Sequence, residues 1–252
     1  EDYEGCRYTS ARLVTKHKGD WVYGRIEVCA KLPPARRGVF PAIWMLPTHQ
    51  HYGSWPASGE MDIVENVGFD EGVLRSSVHT GRFNHRTKSH VLGTIKRPAA
   101  HSCFHVYSLE WTPDRVSMFV DKHCTLTYSR TNTVANDPDM WPFDQPFHIV
   151  LNVAIGGSWA GQQGVDDDMF PATMEIAYVR VYQRAPGQGA YKGQSANGPA
   201  SHPATSSEGQ ACTTRRAAGG VANSTPGNKQ SSSDSANSAR ARPSVGGTTV
   251  RV

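Results

Sequence analysis

No apolar run in these 252 residues is long enough to cross a membrane, and the cysteines form no metal-binding pattern. All five cysteines are isolated, without a CxxC pair, so we expect no zinc site. Their spacing leaves open whether a disulfide forms and which residues it joins. The chain begins with neither Met nor a secretion signal, and we interpret it as a mature or truncated chain.

An excess of positive charge is also absent from most of the chain, although the net charge is +4. Residues 184–252 hold eight Lys/Arg and two acids, which leaves the rest slightly acidic and argues against nucleic-acid binding. Residues 186–252 lack aliphatic runs and are rich in Gly, Ser, Ala and Thr, so they cannot bury enough apolar surface to offset chain entropy. We predict one folded domain over residues 1–185 and a disordered tail over residues 186–252.

A helical period is missing too, since no segment of twelve residues shows one. Short β-type runs are separated instead by Pro, Gly, Asn and Asp, and Asp121-Lys122 fits a two-residue hairpin turn. Many strands without a long helix predict an all-β sandwich. The predicted strands cover residues 21–32, 39–46, 60–67, 73–80, 104–111, 115–120, 124–128, 147–155 and 173–182.

Three carboxylates interrupt one of these apolar runs, in the segment SGEMDIVEN over residues 58–66. Strand side chains alternate between two faces, which puts Glu60 and Asp62 on one face and Glu65 on the other. One extra residue at Ile63 or Val64, a β-bulge, would return Glu65 to the face of the other two. The carboxyl groups of Glu60 and Glu65 would then lie about 5 Å apart, the separation found in retaining glycosidases.

Such a pair suits a two-step displacement, in which one Glu attacks the anomeric carbon and the other protonates the leaving oxygen and later activates water. Asp62 between them would help to keep a neighbour protonated. The same six residues also fit a Ca²⁺ site or a solvated face with Lys/Arg partners. The segment alone therefore leaves catalysis, metal binding and a solvated face open.

The wider sequence resembles glycoside hydrolase family 16, in particular its laminarinase-like β-1,3-glucanases. The family signature Glu-x-Asp-x-x-Glu on a bulged strand is matched by Glu60, Asp62 and Glu65. Further blocks follow in family order over about residues 5–183, among them YTSARLVTK, FPAIWMLP, SVHTG and GGSWAG. The resemblance implies a concanavalin A-like β-jelly roll with a cleft on its concave sheet. It also implies strands upstream of Tyr8 that this chain lacks, and hence an unpaired sheet edge.

The resemblance assigns the nucleophile to Glu60, the acid/base to Glu65 and an assisting carboxylate to Asp62. Five further residues are candidates for substrate contact, the two Trp by stacking on a sugar ring. They are Trp55, Trp159, His79, Asn84 and His85. For Trp159 and His79, a purely structural role agrees with the sequence nearly as well as substrate contact does.

Some residues whose type would suit sugar stacking or metal binding are expected to lie outside the site. Trp44 is flanked by apolar residues, which predicts a core position, and His49 and His51 fit a polar loop better than a metal pair. Ala177 stands where many members of the family carry an Asp that can hold Ca²⁺, so we predict no metal.

We therefore predict a retaining endo-β-1,3-glucanase that acts on laminarin-like β-1,3-glucan, needs no cofactor, and is a monomer outside the cell. One alternative is a non-catalytic β-glucan recognition protein on the same fold, a class that has typically lost the catalytic acids. Another is a different specificity of the family, such as mixed-linkage glucanase, agarase or transglycosylase. All three acids are present here, which favours the enzyme.

Overall fold

The computed structural model describes residues 5–134 and 137–183, and it contains twelve strands in these residues. The strands are β1 (Arg12–Val14), β2 (Asp20–Trp21), β3 (Gly24–Lys31), β4 (Val39–Pro47), β5 (Glu60–Glu65), β6 (Val73–His79), β7 (Val91–Lys96), β8 (His105–Thr112), β9 (Arg115–Val120), β10 (His123–Ser129), β11 (Phe147–Ile155) and β12 (Glu175–Tyr182). A short helix, α1, covers Gly157–Ala160. Single 3₁₀ turns cover His85–Thr87, Pro98–His101, Arg130–Asn132, Gly161–Gln163 and Asp167–Met169.

The strands form two antiparallel sheets that pack face to face as a jelly-roll sandwich, as predicted. The seven-stranded sheet has the order β1-β11-β4-β5-β6-β7, and β2 also pairs with β11. The five-stranded sheet has the order β10-β9-β8-β3-β12. β1 forms an edge of the larger sheet, and its Leu13 and Val14 are exposed. β4, β5 and β6 lie side by side towards the middle of that sheet.

The core lies between the sheets because apolar residues alternate along the strands that face each other. β3 and β8 supply Ile26, Val28, Tyr107 and Leu109 from the smaller sheet, and all four are fully buried. The central strands of the larger sheet supply the facing residues Ile43, Met45, Met61, Ile63, Phe147 and Ile149. The other face of the larger sheet is thereby left free to carry polar side chains.

Most of the predicted strands are confirmed to within one or two residues. The predicted strand over residues 21–32 is divided into β2 and β3, because the chain turns at Tyr23, which has a φ of +63°. The two-residue hairpin at Asp121-Lys122 is confirmed, and Asp121 takes the positive φ of +55°.

Strand β7 was not predicted because Gly93 interrupts its β-type pattern. A Cβ atom at this position would lie 1.9 Å from the carbonyl oxygen of Thr125 on β10. The backbones of the two sheets therefore approach each other so closely here that glycine is required.

The predicted bulge in β5 is confirmed at Ile63. Against β6, Asp62 pairs with Ser77 and Glu65 with Arg75, so that two residues of β5 lie opposite Ser76 alone. The Ser76 hydroxyl donates to the carbonyl of Ile63 at 2.8 Å, which satisfies a backbone group that the bulge removes from regular pairing. The bulge thus keeps Ile63 in the core and turns Glu65 to the outer face.

Other expectations concern the cysteines and the chain's C-terminal part. Cys6, Cys29, Cys103 and Cys124 all carry free thiols, so no disulfide joins cysteines within the described residues. The predicted tail over residues 186–252 lies outside the described residues. Within the described part of the chain, no helix has the length and apolar character that crossing a membrane requires.

We predict that Ser76→Ala destabilises the protein by about 1–3 kcal/mol, because the buried Ile63 carbonyl loses its donor. Urea unfolding measures this loss. Ser108→Ala is the matched control, since Ser108 is equally buried and its hydroxyl has no hydrogen-bond partner among the described residues. A loss of stability in the control as large as that in Ser76→Ala would contradict the role of this hydrogen bond.

Candidate active site

A cleft of about 700 Å³ lies on the outer face of the seven-stranded sheet. It crosses β4, β5, β6 and β11, and outward-facing side chains of these strands line much of it. β4 contributes Phe40, Ala42 and Trp44, β5 contributes Glu60, Asp62 and Glu65, β6 contributes Arg75, Ser77 and His79, and β11 contributes Asn152 and Ala154. The cleft is therefore a product of strand alternation together with the bulge in β5.

Each of the three carboxylates faces a different side chain across the β5–β6 pairing. Glu60 pairs with His79, Asp62 with Ser77, and Glu65 with Arg75. The Ser77 hydroxyl donates to Asp62 Oδ2 at 2.6 Å and lies 3.3 Å from Glu65 Oε2. Ser77 therefore connects the central carboxylate to Glu65, which the bulge has turned onto the same face.

His79 is buried and lies between two of the carboxylates. Its Nε2 is 3.3 Å from Asp62 Oδ2 and 3.8 Å from Glu60 Oε1. The possible ligand atoms of Glu60, Asp62 and His79 all lie within 4.8 Å of one another. Among the described residues, this is the group that could hold a metal ion. The contacts already made among the three groups account for their closeness without an ion.

Two further histidines continue this wall of the cleft. His90 stacks on His79 with ring centroids 5.1 Å apart, and His85 meets His79 edge to face at 5.3 Å. Burial lowers the pKa of His79, although the nearby Glu60 acts in the opposite direction. Burial also lowers the pKa values of His85 and His90. The sequence suggested His79 and His85 but gave no sign of His90, whose place depends on the pairing of β6 with β7.

Burial raises the pKa values of all three carboxyl groups, and repulsion from neighbouring acids raises those of Glu60 and Glu65 further. The pKa of Glu60 rises to about 8, mainly through burial and the charge of Asp62, while His79 and Trp55 favour its ionised form. Burial raises the pKa of Asp62 to about 7. Glu65 has a pKa well above its usual value, because it is buried and faces both other acids. The cluster can therefore hold a proton on one carboxyl group while a neighbour is ionised.

Trp55 positions Glu60 directly. Its Nε1 donates to Glu60 Oε2 at 2.9 Å. The Trp55 ring also lies against His85 at 4.8 Å and under the guanidinium of Arg86 at 4.7 Å. The predicted stacking of a sugar on Trp55 remains a prediction, whereas the hydrogen bond shows a role in holding one carboxylate oxygen.

Asn84 is buried, and it does not line the cleft. Its Oδ1 accepts from the backbone N–H groups of Arg86 and Thr87, and its Nδ2 donates to the carbonyls of Thr80 and Gly81. The side chain therefore caps the 3₁₀ turn at His85–Thr87. Its predicted contact with substrate remains a prediction, and the observed role is to hold the loop that carries His85.

Aromatic residues form the opposite side of the cleft. Trp159 on α1 lines it and meets Phe40 edge to face at 5.1 Å. The core position expected for Trp44 is wrong: Ile43 and Met45 point into the core, so Trp44 between them points into the cleft. Its Nε1 donates to Asn152 Oδ1 at 2.7 Å. The alternation along β4 was the signal that would have identified it.

His49 and His51 are exposed in the connection after β4, as expected for a polar loop. Neither lines the cleft.

Comparison with known proteins gives one family for most of the chain. Residues 4–180 match glycosyl hydrolases family 16. The beta-glucanase of Rhodothermus marinus is 51% identical over 189 residues, which is 73% of this chain and 65% of that protein. A beta-1,3-glucan-binding protein of Penaeus monodon is 39% identical over 175 residues, covering 60% of this chain and 47% of that protein.

The fold is shared with a solved structure, the laminarinase from Rhodothermus marinus. The similarity has a TM-score of 0.70 and 50% sequence identity, and it covers 73% of this chain and 74% of the other. This chain thus spans about two thirds, or less, of the length of the two curated relatives named above.

We predict that Glu60→Gln stabilises the protein at pH 8 and does so less at pH 5. With a pKa raised from 4.5 to about 8, folded Glu60 binds more protons than the unfolded chain, so stability falls as the pH rises through this window. The substitution removes that loss, which is on the order of 4 kcal/mol at pH 8. Urea unfolding at both pH values measures the difference.

Glu71→Gln is the control, because Glu71 is an exposed glutamate in the loop between β5 and β6. It should change stability equally little at both pH values. An equal effect of Glu60→Gln at pH 5 and pH 8 would contradict the raised pKa of Glu60.

Proposed function

Because this chain belongs to glycosyl hydrolase family 16, we propose that it is a retaining endo-β-1,3-glucanase that acts on laminarin-like polysaccharide. The main support is the confirmed bulge, which brings Glu60, Asp62 and Glu65 to one face in one cleft. The Rhodothermus marinus relatives named above are a beta-glucanase and a laminarinase. The expected carboxyl separation of about 5 Å for a retaining enzyme is part of this proposal.

In the first step Glu60 is the nucleophile and Glu65 the acid. Glu60 attacks the anomeric carbon as the bond to the leaving glycosidic oxygen breaks, and Glu65 gives its proton to that oxygen. Trp55 holds Glu60 Oε2 at 2.9 Å, which fixes the orientation of the carboxylate and leaves Oε1 for attack. Both glutamates have raised pKa values, so the reactive form is the one in which Glu65 holds a proton and Glu60, whose anion Trp55 and His79 favour, is ionised.

In the second step Glu65 changes from acid to base, and Glu60 changes from nucleophile to leaving group. Glu65, now ionised, takes a proton from water, and the water oxygen attacks the anomeric carbon of the glycosyl ester on Glu60. The ester bond breaks and Glu60 leaves as a carboxylate. Two inversions at one carbon retain the β configuration. Both steps use carboxyl groups and water, so the proposed chemistry needs no cofactor.

Asp62 assists both steps from between the two glutamates. Its Oδ2 accepts from Ser77 and lies close to His79, so its orientation is fixed from both sides. Its charge contributes to the raised pKa values of Glu60 and Glu65. As Glu60 gives up its charge to the ester, repulsion within the cluster decreases, which lets Glu65 ionise when a base is needed.

The aromatic residues of the cleft suit a polysaccharide substrate. Sugar rings present C–H surfaces that pack well on Trp, and Trp44 and Trp159 both line the cleft. A long polysaccharide is too large to cross a membrane unaided, so we propose that the enzyme is secreted and acts outside the cell.

The second candidate function is β-glucan binding without hydrolysis, which the similarity to a beta-1,3-glucan-binding protein supports. Burial of three neighbouring acids is unfavourable for the fold, and clustered carboxyl groups with raised pKa values are typical of catalytic sites. The presence of all three acids in the cleft therefore favours hydrolysis. Product analysis on laminarin, mixed-linkage glucan and agarose separates the specificities within the family.

We expect azide to rescue Glu65→Ala on an aryl β-glucoside or laminaribioside with a good leaving group. Such a substrate needs no acid in the first step, so the glycosyl ester on Glu60 forms and accumulates. Azide needs no general base and attacks this ester, which gives a β-glycosyl azide. NMR of the product identifies both the azide and its configuration.

Glu60→Gln is the companion variant, and it should bind glucan but form no product with or without azide. Absence of azide product from folded Glu65→Ala, while the wild-type protein hydrolyses laminarin, would remove Glu65 from the acid/base role. An α-azide would show inversion and contradict the proposed mechanism. Glucan binding by the wild-type protein without any hydrolysis would favour the second candidate.

A further inference from the structure

The bulge in β5 determines which residue of β6 faces Glu65. In regular pairing, the Asp62–Ser77 pair would be followed by a pairing of Glu65 with Leu74, a fully buried core residue. With the bulge, Glu65 pairs with Arg75 instead, and both side chains line the cleft. The same extra residue thus brings Glu65 into the cleft and sets it beside a permanent cation.

The Arg75 guanidinium is held by three groups around the cleft rim. One nitrogen forms an ion pair with Asp70, and another lies 3.3 Å from the carbonyl of Val73. Its central carbon lies 5.4 Å from the ring centroid of Trp159, in a cation–π contact. The side chain is only 18% exposed, so this position is well defined. Arg75 therefore connects β6 to the aromatic residue of α1 that lines the cleft.

Two arginines line the cleft, and Arg75 is the one whose charge lowers the pKa of Glu65, whereas Arg12 lies over the ring of Trp44. On its own strand, the charged neighbours of Glu65 are the acids Glu60 and Asp62. On β6, the titratable residue that lines the cleft besides Arg75 is His79. β4 and α1 present the uncharged residues Ala42 and Trp159. Because Asp70 pairs with Arg75, it compensates part of this positive charge.

We propose that Arg75 is a positioning residue for the reaction, which places a fixed positive charge beside Glu65 and holds Trp159 at the rim of the cleft. This inference rests on the proposed acid/base role of Glu65. An acid/base must give up its proton in one step and work as an anion in the next. Glu60 and Asp62 oppose the anion, and Arg75 supports it, in agreement with the lowering contribution of Arg75 to the pKa of Glu65. The chain thus balances the two steps at one carboxyl group.

The test is Arg75→Met, which removes the charge and keeps a long side chain against Trp159. We expect the midpoint of the Glu65 carboxyl titration to rise by about half a pH unit or more. Carbon-13 NMR of glutamate-labelled protein measures it without substrate, with the Glu65 signal identified from the spectrum of Glu65→Gln. The basic limb of kcat/KM on laminarin should move upward with it, and Arg75→Lys should restore both.

Asp70→Asn provides a variant with the opposite expected sign. It leaves Arg75 in place but removes the compensating charge, so the Glu65 titration should move downward. Arg115→Met is the control for loss of an exposed arginine, since Arg115 lies on β9 in the other sheet, and it should change neither measurement.

The outcomes separate this inference from the proposed function. Suppose that the wild-type protein is active. The role of Arg75 alone would then be overturned if Arg75→Met leaves the Glu65 titration unchanged, or if the titration moves upward but the basic limb of kcat/KM does not. If Arg75→Met fails to fold, the role of Arg75 would be overturned by a Glu65 titration in Asp70→Asn that is unchanged or moves to higher pH. A wild-type protein that hydrolyses no glucan would overturn the proposed function, and with it any role of Arg75 in the reaction.

Discussion

The Ser76 hydroxyl donates to the Ile63 carbonyl at the point where two residues of β5 lie opposite one residue of β6. The rest of the cleft depends on this bulge. If the same residues paired regularly, without the bulge, the period of two would turn Glu65 into the core, where burial of an ionised carboxylate is highly unfavourable. With it, Ile63 remains buried and three acids line one face, each opposite a different residue of β6. One local irregularity in a regular sheet therefore creates the whole carboxylate cluster.

The cluster is held together by groups that also limit its charge. Ser77 and His79 contact Asp62, and Trp55 contacts Glu60, so the orientations of these carboxylates are set before any substrate enters. Burial raises the pKa values of all three acids, which makes full ionisation of the cluster unfavourable near neutral pH. This is the condition that acid/base chemistry requires, and it is also a source of instability in the folded protein.

The sequence predicted the sandwich, most strand positions and the bulge, because these follow from local alternation and from the parity of Glu65. It failed where the structure depends on contacts between distant segments. Gly93 weakened the pattern of β7, although glycine is required there by the approach of β10. The core position predicted for Trp44 was wrong because only its apolar neighbours Ile43 and Met45 face the core, and its own parity on β4 turns it to the cleft. His90 and Arg75 could not be recognised from single positions, since their places in the cleft depend on strand register.

The fold by itself does not distinguish an enzyme from a binding protein, because this chain is similar both to a beta-glucanase and to a beta-1,3-glucan-binding protein. Aromatic residues in a cleft serve either function equally well. The difference lies in the acids, since carboxyl groups that are buried against one another must share protons, a property that acid/base chemistry uses. Here the scaffold supplies a separate support to each of them: Trp55 to Glu60, Ser77 to Asp62, and the bulge to Glu65. Orientation of each acid before substrate binds is what the proposed hydrolysis, at a bond that lies between them, requires.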